Sequence, residues 1–126
     1  MTRDFFLCYF ETTRRCNLSC PYCASRQDTS LKKNELTTDE AKYLVLDEVK
    51  RICPQGAVAF SGGEFLLRQD AMELLEYNRG LGLYSFINTN GKCLNRNLLK
   101  EIKKLTRGKI TFGFSLNSIK RALHRT

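Results

Sequence analysis

Two rhythms of apolar residues alternate along this chain. Residues 5–13 are rich in aromatic and β-branched side chains and stop at a polar turn, which predicts a first strand. After a polar connection, Thr37-Thr38-Asp39-Glu40 forms a capping box, opening a helix through about residue 52 with Leu44, Val45, Val49 and Ile52 on one face. Pro54 and Gly56 stop that helix. Residues 57–61 read as a short apolar strand. Asp70 stands ready to cap a second helix, with Ala71, Leu74 and Leu75 inward and Gly80 marking its end. A third strand covers 83–88, and Asn95 caps a third helix whose buried stripe is Leu98, Leu99, Ile102 and Leu105, with Gly108 beyond it. Over residues 109–116 the pattern alternates. Ile110, Phe112, Phe114 and Leu116 point one way, and Thr111, Gly113, Ser115 and Asn117 the other.

Strands alternating with helices over short connections imply an α/β fold with a parallel sheet and right-handed crossovers. At 126 residues and 42% hydrophobic, the chain suffices for one core, so residues 1–126 are expected to form a single domain. In barrel-like α/β folds the C-terminal strand ends carry the chemistry. The small, polar face of the last strand fits a ligand cavity there better than a packed interior, and a solvent-exposed face would give the same pattern.

Charge adds one asymmetry. Residues 92–126 hold ten Lys or Arg against the single acid Glu101, so the whole +8 excess lies in the final part. Lys100, Lys103, Lys104 and Arg107 read as the wet face of the third helix. Without interleaved aromatics to stack bases, they argue against a nucleic-acid partner. No apolar run approaches the roughly 20 residues of a membrane span. The first four residues show no signal-peptide pattern, so free cysteines and a reducing cytoplasm are expected.

The candidate chemistry lies in Arg15-Cys16-Asn-Leu-Ser-Cys20-Pro-Tyr22-Cys23. Three soft ligands on one short stretch suit an iron–sulfur cluster, and three thiolates on a four-iron cluster leave one iron open for a further ligand. Zinc is the competing reading, but Cys8, Cys53, Cys93 and His124 offer no second ligand pair. A disulfide framework fits poorly without a secretory signal. His124 reads as a terminal surface residue, and the other three cysteines as small, partly buried residues.

The run from Glu11 to Cys23 resembles the first motif of radical S-adenosylmethionine (radical SAM) enzymes. Three more come after it in that family's order: Phe60-Ser-Gly-Gly-Glu-Phe-Leu-Leu-Arg68, similar to a Gly-Gly-Glu-Pro segment; Asn88-Thr-Asn-Gly91; and Phe114-Ser-Leu-Asn117, similar to Ser-Leu-Asp. The resemblance implies a 4Fe-4S cluster on Cys16, Cys20 and Cys23, with S-adenosylmethionine chelating the open iron. An electron donor such as flavodoxin or ferredoxin would drive reductive cleavage to a 5′-deoxyadenosyl radical that abstracts hydrogen. Tyr22 would lie beside the adenine, with plain packing over the cysteine loop as its other reading. Gly62 and Gly63 would let the backbone approach the cofactor, and Glu64 would face its methionyl amino group. Phe65 stands where the family usually has proline, which implies a less stiff turn. Ser115 and Asn117 match positions near the carboxylate and ribose, Asn117 without the usual negative charge. Asn90 is either a cofactor contact or the start of an Asn-Gly turn. No side chain is assigned as catalytic.

The implied architecture is a partial (β/α) barrel of the radical SAM type, with about four parallel strands and three helices. A complete eightfold barrel takes about 250 residues, so the chain reads as the N-terminal half, truncated or split. Residues 119–126 with an oligomeric partner or second chain are the other way to close the sheet. The motif forms look most like members that modify peptides or proteins, ahead of cofactor biosynthesis and RNA modification. A truncated, non-catalytic iron–sulfur-binding remnant is the alternative function.

Overall fold

The computed structural model describes residues 6–14 and 35–114. Its sheet contains β1 (Leu7–Thr13), β2 (Ala57–Gly62), β3 (Tyr84–Thr89) and β4 (Ile110–Phe114), in that spatial order, with every neighbouring pair parallel. A sheet that grows in sequence order without reversing winds like a barrel, whereas a doubly wound sheet turns back at a switch point. Three helices make the crossovers: α1 over residues 38–52, α2 (Ala71–Gly80) and α3 (Arg96–Thr106). This is the partial-barrel arrangement that the sequence implies.

The core lies between one face of the sheet and the helices. Val58, Phe60 and Ile87 from the strands meet Leu46, Val49, Leu74, Leu75 and Ile102 from the helices, all buried. Each such side chain stabilises the fold by about 1.5–3 kcal/mol relative to its exposed state. Phe60 is central, with the Phe10 ring at 6.3 Å and the Phe65 ring stacked at 4.8 Å between centroids.

The capping box opens α1 as expected: Thr37 Oγ1 accepts from the Glu40 amide at 3.2 Å, and the Thr37 amide donates to the Glu40 carboxylate at 3.0 Å. Its apolar stripe differs from expectation. Ala41–Leu46 winds as π turns, with the Asp47 amide reaching back to the Lys42 carbonyl. Each wider turn takes in an extra residue and rotates the later part of the helix about its axis. Ala41 and Leu46 are therefore buried beside the expected Val49, and Val45 is partly buried against the core, while Leu44 and Ile52 stand 64% and 55% exposed.

Asp70 precedes α2 but its side chain makes no cap bond; it is engaged by Arg68 and Thr38 instead. The helix ends at Gly80 as expected, and the left-handed turn that follows falls on Gly82 (φ 81°). Asn95 caps α3 as expected, accepting from the Leu98 amide at 2.8 Å. Ile102 and Thr106 form the buried part of that helix, and Leu99 is exposed. Among the described residues β4 bonds only to β3, and Phe114 is 60% exposed.

Candidate functional site

The end of β1 is irregular, and the irregularity shapes the site. Glu11 pairs with Ser61 but Thr13 pairs with Gly62, so β1 carries one extra residue, Thr12, in a bulge. The bulge presses the Thr13 backbone onto Gly62. A Cβ at position 62 would lie 2.2 Å from the Thr13 carbonyl oxygen, and φ there is 125°. Only glycine fits such a position. The Gly63 amide then donates to the same carbonyl at 2.7 Å. Both glycines thus lock β2 to the strand that leads into the cysteine segment.

Beyond them the chain turns Glu64 inward. Its side chain is fully buried. Oε1 accepts from Thr89 Oγ1 at 2.7 Å and Oε2 from the Asn90 amide at 2.9 Å. Thr89 Oγ1 in turn accepts from the Gly91 amide at 3.1 Å. The second and third motifs therefore grip each other through one carboxylate. Among the described residues, no Lys, Arg or His forms an ion pair with it. A carboxylate offers about four acceptor positions, and two are filled. Burying a charge without a counter-charge is costly, so this group is suited to receive a cationic ligand.

Phe65 supports that turn. It is buried against Phe60 and opens a short 3-10 turn, Phe65–Leu67, so packing supplies the stiffness that proline would otherwise give. Asn90 makes the expected turn, its Oδ1 accepting from the Lys92 amide at 2.9 Å. Gly113 on β4 leaves room for its neighbour on β3, because a Cβ there would lie 2.7 Å from Asn88 Oδ1.

Arg68 forms a second node. It is 6% exposed. Nη1 donates to the Thr12 carbonyl at 2.8 Å, Nη2 to the Leu36 carbonyl at 3.0 Å, and Nε and Nη2 to the two Asp70 oxygens at 2.7 Å each. Thr38 Oγ1 also donates to Asp70, at 2.6 Å. The bond to Asp70 raises the Arg68 pKa. Burial pushes the Asp70 carboxyl up, but the hydrogen bonds from Arg68 and Thr38 and the guanidinium charge outweigh it, leaving it below its usual range.

Of the residues expected from sequence, Gly62, Gly63, Glu64 and Asn90 come together at the C-terminal edge of β2 and β3. Cys16, Cys20, Cys23, Tyr22, Ser115, Asn117 and His124 lie outside the described residues. Thr89 and Arg68 are the residues that sequence reading passed over. For Arg68 the signal was present: a cation next to an apolar stretch, with an acid two positions later. No described helix is long and apolar enough to cross a membrane.

The chain is 38% identical over 108 residues to Fe-coproporphyrin III synthase of Methanosarcina barkeri, covering 86% of this chain and 26% of that protein. To the AdoMet-dependent heme synthase of the same organism it is 37% identical, covering 82% and 29%. To the PqqA peptide cyclase of Bradyrhizobium diazoefficiens it is 41% identical, covering 73% and 24%. It therefore spans less than a third of the length of these relatives. The structure superposes on BtrN in an open conformation with a TM-score of 0.66 and 17% identity, over 89% of this chain and 57% of that one, a likeness of fold. The family model of the radical SAM superfamily matches residues 10–126. Because that match takes in the cysteine run, the buried glutamate and the motif beginning at Phe114, this chain belongs to the radical SAM superfamily.

Proposed function

We propose that this chain holds a 4Fe-4S cluster on Cys16, Cys20 and Cys23, binds S-adenosylmethionine beside it, and cleaves that cofactor reductively to abstract hydrogen from a substrate. The observation carrying this reading is Glu64: a fully buried carboxylate, oriented by Thr89 and the Asn90 amide, without a cation among the described residues. An ammonium such as the cofactor's amino group would fill its remaining acceptor positions. Family membership supports the cluster assignment, since three thiolates leave one iron free for a ligand. When bound, cluster and cofactor supply the one-electron chemistry that yields a 5′-deoxyadenosyl radical.

The chain's own residues hold and orient. Glu64 fixes the amino end of the cofactor, and Thr89 fixes Glu64. Phe65, buried and stacked on Phe60, anchors the turn that follows Glu64. Tyr22, Asn90, Ser115 and Asn117 are proposed to contact the remaining parts of the cofactor. A low-potential partner such as flavodoxin or ferredoxin would deliver the electron, in the cytoplasm. The likeness to a PqqA peptide cyclase supports a peptide or protein substrate. The two Methanosarcina relatives support a second reading, in which the substrate is a tetrapyrrole.

Anaerobic reconstitution tests the central step. The reduced protein should give a cluster signal in electron paramagnetic resonance (EPR) that changes on adding S-adenosylmethionine, and 5′-deoxyadenosine should accumulate. A cluster signal indifferent to the cofactor contradicts the reading. Adding a candidate peptide or a coproporphyrin separates the two substrate classes by which one raises 5′-deoxyadenosine formation.

A further inference from the structure

We propose that Arg68 is a positioning residue for the cluster: it fastens together the points at which the backbone enters and leaves the cysteine-bearing stretch. Residues 15–34, with Cys16, Cys20 and Cys23, lie in sequence between Thr12 and Leu36. Both of those carbonyls accept from the one guanidinium, at 2.8 and 3.0 Å. The same cation is held on its other side by Asp70, which reaches Thr38 at the start of α1. Thr13 Oγ1 also donates to the Glu35 carboxylate, so the two flanks touch directly as well.

The physical consequence concerns loop closure. Three thiolates must converge on one cluster, and a stretch whose ends are already joined has less closure entropy to lose when they do. A planar fork with five N–H donors can serve two carbonyls and a carboxylate together, and a lysine ammonium lacks that fork geometry. The Gly63 amide anchors the Thr13 carbonyl from the same 62–70 segment. The flanks of the cysteine-bearing stretch and Glu64 are thereby seated on one frame. The inference rests on the cluster assignment proposed above.

The test uses the full chain, reconstituted anaerobically, as wild type, Arg68→Lys and Arg68→Met, with Lys104→Ala as a surface control and Leu75→Ala as a core control. Arg68→Lys should lose iron to a chelator about tenfold faster than wild type, the low end of what losing an outer support does to a metal site. Its EPR signal should shift, and amide exchange in the apo-protein should rise at residues 12–14 and 35–38 and not across α3. Lys104→Ala should match wild type. Iron loss and neck exchange at wild-type rates in both Arg68 variants overturn the proposal. So does a Leu75→Ala protein, matched in melting temperature to Arg68→Lys, that loses iron equally fast. Should Arg68→Met fail to fold, Arg68→Lys and Thr38→Val carry the same readouts. A wild type that assembles no cluster would remove the proposed function, while unchanged exchange at the neck in Arg68→Lys would separately remove the clamp.

Discussion

β2 and β4 flank the same central strand, β3, yet hold their residues differently. β2 has a strand on each side, is buried from Ala57 to Phe60, and ends where Thr13 presses on Gly62. β4 has one ladder among the described residues, and Phe114 at its end has Phe112 as its ring neighbour at 6.1 Å and stays exposed. Position along β2 is set by a ladder on each side and, at its end, by the Thr13 contact. At the end of β4 it is set mainly by hydrogen bonds along one edge. The fold therefore holds Glu64 more firmly than Phe114.

Substitutions can break or sharpen that contrast. Phe60→Ala should cost about 3–5 kcal/mol in urea unfolding, because it empties the centre of the core. Gly62→Ala comes next at about 3 kcal/mol, since the new Cβ meets the Thr13 carbonyl in a backbone region that side chains rarely adopt. A stability close to wild type there would mean that β1 and β2 are not locked as described.

Asp70→Asn should be smaller, about 1–2 kcal/mol at pH 7, from the weakened charge-assisted bonds to Arg68 and Thr38. Its pH dependence is the sharper readout. The folded protein holds the Asp70 carboxyl below its ordinary value of 3.8, so the stabilisation is present above that pH and is lost as pH falls through the lower folded value. Wild type should therefore lose stability in acid more steeply than Asp70→Asn, and parallel profiles would contradict the clamp's electrostatics. Phe114→Ala should move stability by no more than about 0.5 kcal/mol. A loss rivalling that of Phe60→Ala would erase the difference between the two strands.

What could be read from sequence was local. The Thr37 and Asn95 caps were legible because cap and partner lie three residues apart. The α1 stripe was legible only in part: Val45 and Val49 face the core as expected, but π turns shift the register, and a regular helical period wrongly puts Leu44 and Ile52 inside. Asp70 looked like a cap from its neighbours alone, and its bond to Thr38 comes from 32 residues away. Gly62 and Glu64 were expected to face a ligand from their motif. That Gly62 makes room for Thr13, and that Thr89 orients Glu64, depends on strand register that no local pattern encodes.

The most direct measurement is an S-adenosylmethionine titration of the reduced cluster by EPR, wild type beside Glu64→Gln at matched iron content. Wild type should give a cofactor-dependent signal, and Glu64→Gln should require about tenfold or more cofactor, the loss expected when a charge-assisted contact becomes neutral. Identical titrations in the two proteins, or no response in wild type, would contradict a cofactor site built on the buried Glu64 carboxylate.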